Sequence, residues 1–435
     1  MRSMSYSSFF RSLPTGIFGS LKGRIFYGWW IVILGSLISG IGSGTLYYSF
    51  TIFFLPLKRD FAVSSAAISL LYGASRLEGG FEGPIVGYLI DKFGSRVMIF
   101  IGASMAGLGL ILLATTHSYW SFFVIYVCIV AVGFNAGFHH PVSVAVNNWF
   151  IRHRGVGFSW ITAAGGMGGM IMAPLLSYII LNFGWRMGAV AAGVIMLMVA
   201  VPASLPIHRS PEAVGLHPDG KPRHNTEVGH QNPTPAEAIY SDFTVKEALR
   251  TVTYWMLMGT ISLRLFVTVA LNTHFIPIVV WRGVDEATGA YLVSLFAFGA
   301  ILSMLGMGWM GDRWNKALLS CVGVAPTIMV MVGLTFSQAA PIVYFLPIAL
   351  ALTMGIAPLN WALIGDFFGR RAYGTLRGIM GISYGTATFI SPIFAGWVYD
   401  ATGSYKRVLI AFSIILLAVA SSFAILGRTS LTRAK

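Results

Sequence analysis

The chain has 435 residues, of which 56% are apolar and 10% charged, against about 25% charged in a typical soluble protein. That composition excludes an ordinary water-soluble protein. Apolar stretches longer than about 18 residues, enough to cross a hydrocarbon layer of about 30 Å, point instead to an all-α membrane protein. The formal charge of +14 would suit a nucleic-acid partner, but the basic residues lie between the apolar spans and read as topology signals, so no nucleic acid is expected.

Residues 1–25, with Arg2, Arg11, Lys22 and Arg24 and no cleavage-like small-residue site, read as an N-terminal tail. Spans are then predicted at 26–56, 64–90, 96–116, 119–147, 155–183 and 186–207, which make an N-terminal half over 26–207. The stretch 208–250 carries Pro211, Gly215, Pro218, Gly220, Pro222, Pro233 and Pro235 and reads as a flexible linker. A second set follows at 251–280, 286–311, 317–337, 340–365, 373–399 and 406–427, giving a C-terminal half over 251–427 and a tail over 428–435.

Twelve spans place both termini on one side. That side collects the tails, the linker and the loop charges Lys92, Arg96, Arg152, Arg154, Arg313, Lys316, Arg370, Arg371 and Arg377. The other side has Lys58, Arg59, Arg186, Arg282, Lys406 and Arg407. The positive-inside rule therefore predicts cytoplasmic termini. Cys128 and Cys321 fall in separate apolar spans and suggest buried thiols rather than a disulfide framework.

An internal repeat is legible. Gly87 to Arg96 follows span 2 and Gly308 to Lys316 follows span 8, with Asp91 and Asp312 221 positions apart. Arg186 and Arg407 are also 221 apart, and Phe150 and Phe368, after spans 4 and 10, are 218 apart. Two homologous halves are an architecture of secondary transporters.

With these residues the chain resembles the major facilitator superfamily. Gly87-x-x-x-Asp91-Lys92-x-Gly94-x-Arg96 looks like the family's loop 2–3 signature, and Asp312-Arg313 is a weaker copy in loop 8–9. Phe26-Tyr27-Gly28-Trp29-Trp30, Asn148-Trp149-Phe150, Ser210-Pro211-Glu212 and Pro218-Asp219-Gly220 look more narrowly like the monocarboxylate and oxalate/formate branch. The resemblance implies twelve helices in two pseudo-symmetric six-helix halves, a monomer, a plasma or bacterial inner membrane address, and a cavity walled by spans 1, 4, 7 and 10. One departure matters: those relatives carry a substrate-binding arginine in span 8, and the oxalate type adds a lysine in span 11. Here span 8 has no basic residue, nor has span 11 between Gly378 and Tyr399, so the substrate-binding charge is expected to have moved, to Arg264 if anywhere, or else the substrate is not a small carboxylate.

Asp91 at a helix end can accept from the exposed amides of a neighbouring helix, with Lys92 and Arg96 as interface anchors. Gly87, Asp91, Lys92, Gly94, Arg96, Asp312 and Arg313 are thus candidate gate residues, against the plainer reading of orientation charges and turn glycines. Charges at membrane depth are functional candidates by default. Arg264 in span 7, with Thr268 and Asn272 at i+4 and i+8, offers a fork of donors for a carboxylate, unless it is held for packing alone. In span 2, Glu78 and Glu82 share a face, and two like charges in low dielectric favour keeping a proton between them. Either is a candidate proton carrier, with Arg76 nearby, and structural pairing is the competing account. Asn135 and His139 share a face of span 4 and could orient an anion, with the histidine also able to shuttle a proton. Tyr47, Asn360 and Tyr384 supply further orienting groups in an apolar pocket, although polar residues are also common helix contacts in membranes.

No phosphate-cradling loop, metal-spaced cluster or nucleophile elbow appears, so neither a cofactor nor an enzyme is expected. The expectation is a secondary transporter for a small organic anion, a monocarboxylate, with protons as the coupling ion by symport or antiport. The alternatives are an exporter of amphipathic drugs or metabolites, and a non-transporting receptor or scaffold on a transporter fold.

Overall fold

A computed structural model describes residues 26–63, 65–220, 243–337 and 340–433. The described residues form twelve long helices. The first, α1, is Tyr27–Ser43, continued by a wide turn at Gly44–Tyr48 and a further helix at Phe50–Asp60. There follow α2 (Ser65–Phe93), α3 (Ser95–Leu113) and α4 (Tyr119–Trp149). One continuous stretch, Arg154–Ser204, is divided at Gly184, whose φ of 83° and ψ of 164° are non-helical. This glycine separates α5 from α6, a left-handed backbone that a side chain would strain.

The second half repeats the plan with α7 (Val252–Thr273), α8 (Glu286–Gly311), α9 (Lys316–Phe336), α10 (Pro341–Phe368), α11 (Tyr373–Thr402) and α12 (Lys406–Arg433). Local chemistry fixes several starts: Thr251 caps α7, Asp285 caps α8 and Asn315 caps α9, each side chain accepting from a first-turn amide. Among the described residues ten stretches are long and apolar enough to cross a membrane. That number counts α5 and α6 as one and omits α2, which is 29 residues long but carries Arg76, Glu78, Glu82, Asp91 and Lys92. At about 1.5 Å per residue α2 still exceeds a hydrocarbon layer of about 30 Å.

Within the halves, α1 packs on α5, α3 on α6, α9 on α12 and α7 on α11. Between them two seams form, α2 on α11 and α5 on α8. Small residues allow this closeness, since a Cβ on Gly83 would lie 2.8 Å from the Gly378 carbonyl oxygen and one on Gly155 2.5 Å from that of Gly308.

The Pro/Gly content of 208–250 predicts a flexible linker, but residues 208–220 are pinned to the helix ends. Trp149 Nε1 donates to the His208 carbonyl at 2.9 Å, and Asp219 Oδ2 accepts from the Ile151 and Arg152 amides at 3.1 and 2.9 Å. Proline and glycine here shape two short turns, Pro211–Val214 and Pro218–Gly220, rather than loosening the chain. Residues 221–242 and the tail 1–25 lie outside the described residues, and Val245–Leu249 is a one-turn helix with a full capping box at Thr244 and Glu247.

Candidate functional site

The face on which α1 begins and α12 ends, called the basic face below, is where side chains tie the two halves together. Asp91, at the end of α2, accepts from the first amides of α11: Gly374 at 3.1 Å, Thr375 at 2.9 Å, and the Thr375 hydroxyl at 2.7 Å. Asp312, just past α8, accepts from the first amides of α5, Gly155 at 2.6 Å and Val156 at 2.9 Å. Each carboxylate therefore satisfies orphan N–H groups and meets the positive end of a helix dipole from the opposite half. Gly87 lets α2 approach the Gly374 carbonyl, and Gly94, at φ 88°, makes the turn into α3. Lys92 lies over the Tyr88 and Phe93 rings, and Arg313 stacks 3.8 Å from the centre of Trp309. Arg96 is buried along part of its length beside Tyr27 and His208.

Two further ties at this face were not expected. Arg154, only 1% exposed, donates to Asp366 Oδ1 at 3.0 Å, and Lys316 reaches Asp366 Oδ2 at 2.8 Å. Arg370 grips Glu212 with two bonds of 2.9 and 3.0 Å, joining the pinned linker to the C-terminal half. Burial raises the Glu212 carboxyl, but the Arg370 bonds prevail and hold it down at about 2. Counting Arg154 and Arg370 as loop charges concealed both. The repeat did hold a signal, since Asp366 stands where the first half has Asn148, at the offset of 218 that relates Phe150 and Phe368.

At the opposite face the described ties stay inside a half. Arg186 binds Asp60 at 3.0 Å and the Thr116 carbonyl at 3.0 Å, and His274 bridges Tyr405 at 2.9 Å and the Pro392 carbonyl at 3.0 Å.

Deeper along the seam several expected residues meet. Asn135 Nδ2 donates to Glu78 Oε2 at 2.9 Å, and Glu82, one helical turn on from Glu78, has its Oε2 buried without a partner. His139 Nε2 meets Ser43 Oγ at 2.8 Å. Asn135 and His139, four residues apart on a π turn, take partners from different helices, Asn135 from α2 through Glu78 and His139 from α1 through Ser43. Tyr384 packs at 5.8 Å against Trp361 of α10. The side chains of Tyr47 and Arg76 lie outside the described residues.

Arg264 stands apart from this cluster. It is 0% exposed, donates from Nη1 to the Thr353 carbonyl at 3.2 Å, and its Nη2 and Nε reach the Asn360 amide oxygen at 2.9 and 3.0 Å in the orientation that satisfies both groups. Thr268 bonds back to the Arg264 carbonyl at 2.7 Å, and Asn272 is exposed near the end of α7. Arg264, Asn360 and Thr268 thus form a cluster interior to the C-terminal half.

The residue that the loop reading missed is Arg377. It lies inside α11, 5% exposed, with its guanidinium 4.3 Å from the centre of the Trp361 ring and Nη1 donating to the His139 carbonyl at 3.2 Å. Its spacing of seven from Tyr384 puts the two on one helical face, which is the signal that could have found it.

Two six-helix halves, tied to each other at one face over an interior polar seam, have the architecture of a polytopic membrane carrier. A sequence profile of the Major Facilitator Superfamily matches residues 32–392, and the chain belongs to that family. It is 27% identical to the MFS transporter asaE of Aspergillus flavus, over 80% of this chain and 74% of that one. It is 24% identical to monocarboxylate transporter 2 of Rattus norvegicus, over 90% and 81% respectively. The crystal structure of FucP, a Major Facilitator Superfamily transporter in the outward conformation, superposes with a TM-score of 0.65 at 15% identity, covering 93% of this chain and 98% of that one. The fold is the major facilitator fold, and the protein is an integral, multi-pass membrane transporter.

Proposed function

We propose that the protein carries a small organic anion, a monocarboxylate, across the membrane in exchange of position between two faces, coupled to protons. The observation that carries this reading is the polar interior: Asn135 bonded to Glu78, Glu82 one helical turn further along α2, and the His139 carbonyl taking a bond from buried Arg377 of the other half. Two carboxyls one turn apart in low dielectric favour one shared proton, and a carrier can move that proton as the halves rock. A monocarboxylate transporter among the relatives supports the anion.

The basic face is assigned to the cytoplasm by the positive-inside rule. Asp91 on α11 and Asp312 on α5 then act as paired latches of the shut cytoplasmic mouth, with Gly87, Lys92, Gly94, Arg96 and Arg313 shaping and anchoring their loops. Arg264 fits a gate or packing role better than direct contact with substrate in this state, because Asn360 and Thr353 already occupy its donors.

The reading is tested by thermal stabilisation of the purified protein with mono-, di- and aromatic carboxylates beside neutral and cationic amphiphiles. A ligand at 100 times its dissociation constant stabilises by about 2.7 kcal/mol. Stabilisation by monocarboxylates is expected; stabilisation by cationic amphiphiles alone replaces this reading with drug export.

A further inference from the structure

Arg377 is a buried cation with an incomplete set of partners. Among the described residues it pairs with no carboxylate, its Nε is buried without a hydrogen-bond acceptor, and its one acceptor is the main-chain carbonyl of His139. The groups around it are His139 and His140 of α4, Trp361 of α10, and Tyr373 and Tyr384 of α11; none of these carries a negative charge at neutral pH. A buried arginine is costly unless an opposite charge or a set of acceptors meets it, and Arg377 has one carbonyl. Arg264, equally buried, has filled its donors with the Asn360 amide and the Thr353 carbonyl.

Position adds a second observation. The Arg377 bond runs from α11 to α4, so it is itself a tie between the halves. The guanidinium lies 4.3 Å over the Trp361 ring, and the Tyr384 ring packs edge-on against Trp361 at 64°. A fork of planar N–H donors next to flat apolar rings suits a carboxylate attached to a planar or apolar body.

Resting on the anion reading above, we propose that Arg377 is the carboxylate anchor of the central site, exchanging the His139 carbonyl for the substrate carboxylate so that binding removes one tie between the halves. The exchange replaces a neutral acceptor by a charged one that can accept from two guanidinium N–H groups at once. A bound carboxylate thereby neutralises the buried cation and loosens the seam in a single step. It also accounts for the missing span 8 arginine, whose task passes to α11.

The test is equilibrium binding of benzoate to the full-length protein in detergent, with acetate as a second carboxylate and benzamide as a neutral isostere. Wild type, Arg377→Gln, Arg377→Lys and Trp361→Leu are compared, each with its melting temperature. Wild type is expected to bind benzoate and not benzamide. Arg377→Gln raises the benzoate dissociation constant about 10- to 100-fold, the loss of a charge-assisted bond, and Trp361→Leu weakens benzoate more than acetate. Equal benzoate affinity in wild type and Arg377→Gln overturns the anchor and leaves the anion reading standing. A wild type that binds neither benzoate nor acetate removes the anion reading, and the anchor with it. Where the glutamine variant does not fold, Arg377→Lys decides: it keeps the charge but not the fork, so about tenfold weaker binding is expected, and unchanged affinity overturns the proposal. Spin labels on Arg152→Cys and Arg371→Cys, one on each half, report the exchange. They are expected to separate with saturating benzoate, and an unchanged distance overturns the release of the tie.

Discussion

Arg264 and Arg377 are both buried arginines of the C-terminal half, yet their surroundings give them different tasks. Arg264 is enclosed between α7 and α10, and every neighbour that satisfies it belongs to its own half. Arg377 lies on the seam, bonded across it to α4, with Nε unoccupied. Charge and burial are the same in the two places, so neither distinguishes a binding group from a packing group. The partner set does: a completed shell within one rigid half resists change, whereas an incomplete shell between two moving halves can exchange partners.

That contrast is broken most sharply by substitution. Arg377→Gln is expected to lower carboxylate flux about 10- to 100-fold while leaving the protein folded. Arg264→Gln is expected to leave the flux per folded molecule within a few-fold of wild type and to destabilise the fold by about 1–3 kcal/mol, because Asn360 and the Thr353 carbonyl lose their donors. Uptake assays paired with melting curves separate the two effects, and the reverse pattern would exchange the roles.

The second expectation concerns the proton. Glu82→Gln removes one member of the carboxyl pair without changing its size, so uptake driven by a pH gradient should fall to the level of uptake without one. Exchange of substrate at equal pH should persist. Loss of both would place Glu82 in substrate binding or packing instead.

The paired latches sharpen the comparison at the basic face. Asp91 serves two amides and a hydroxyl, Asp312 two amides with His153 Nδ1 4.0 Å from its Oδ2. Asp91→Asn and Asp312→Asn should each weaken the shut state by about 0.5–2 kcal/mol, with Asp91→Asn the larger, read as alkylation rates of a cysteine placed under the seam. Wild-type rates in both would show that these carboxylates only orient their loops. The smallest effect is expected at Glu212. Its folded carboxyl is held below the ordinary range, so the Arg370 pair stabilises above about pH 4.5 and its contribution is lost as pH falls toward about 2. At a half-exposed surface site this amounts to about 1 kcal/mol at most, and Glu212→Gln should flatten that part of the stability profile.

The fold was legible because hydropathy and repetition are properties of one chain read in order. Twelve spans, the 221-residue offset and the Asp91 and Asp312 helix ends all follow from local pattern. The candidate site was legible only where a charge sits well inside an apolar run, as with Glu78 and Glu82. Arg377 falls six residues after Arg371 and merges with the loop charges, because nothing local says that α11 begins at Tyr373 and that Trp361 folds back over the side chain. Arg154 and Asp366 escaped for the same reason, each being a helix-end charge whose partner comes from the other half. Conversely, Arg264 advertised itself by depth, while the Asn360 amide that satisfies it lies 96 positions away.

The central claim is proton-coupled passage of a small carboxylate, and its most direct measurement is uptake of labelled monocarboxylate into proteoliposomes under an imposed pH gradient. Accumulation that follows the gradient, collapses with a protonophore and falls about 10- to 100-fold in Arg377→Gln is the predicted result. Uptake indifferent to the gradient, or binding with no flux in wild type, would contradict it.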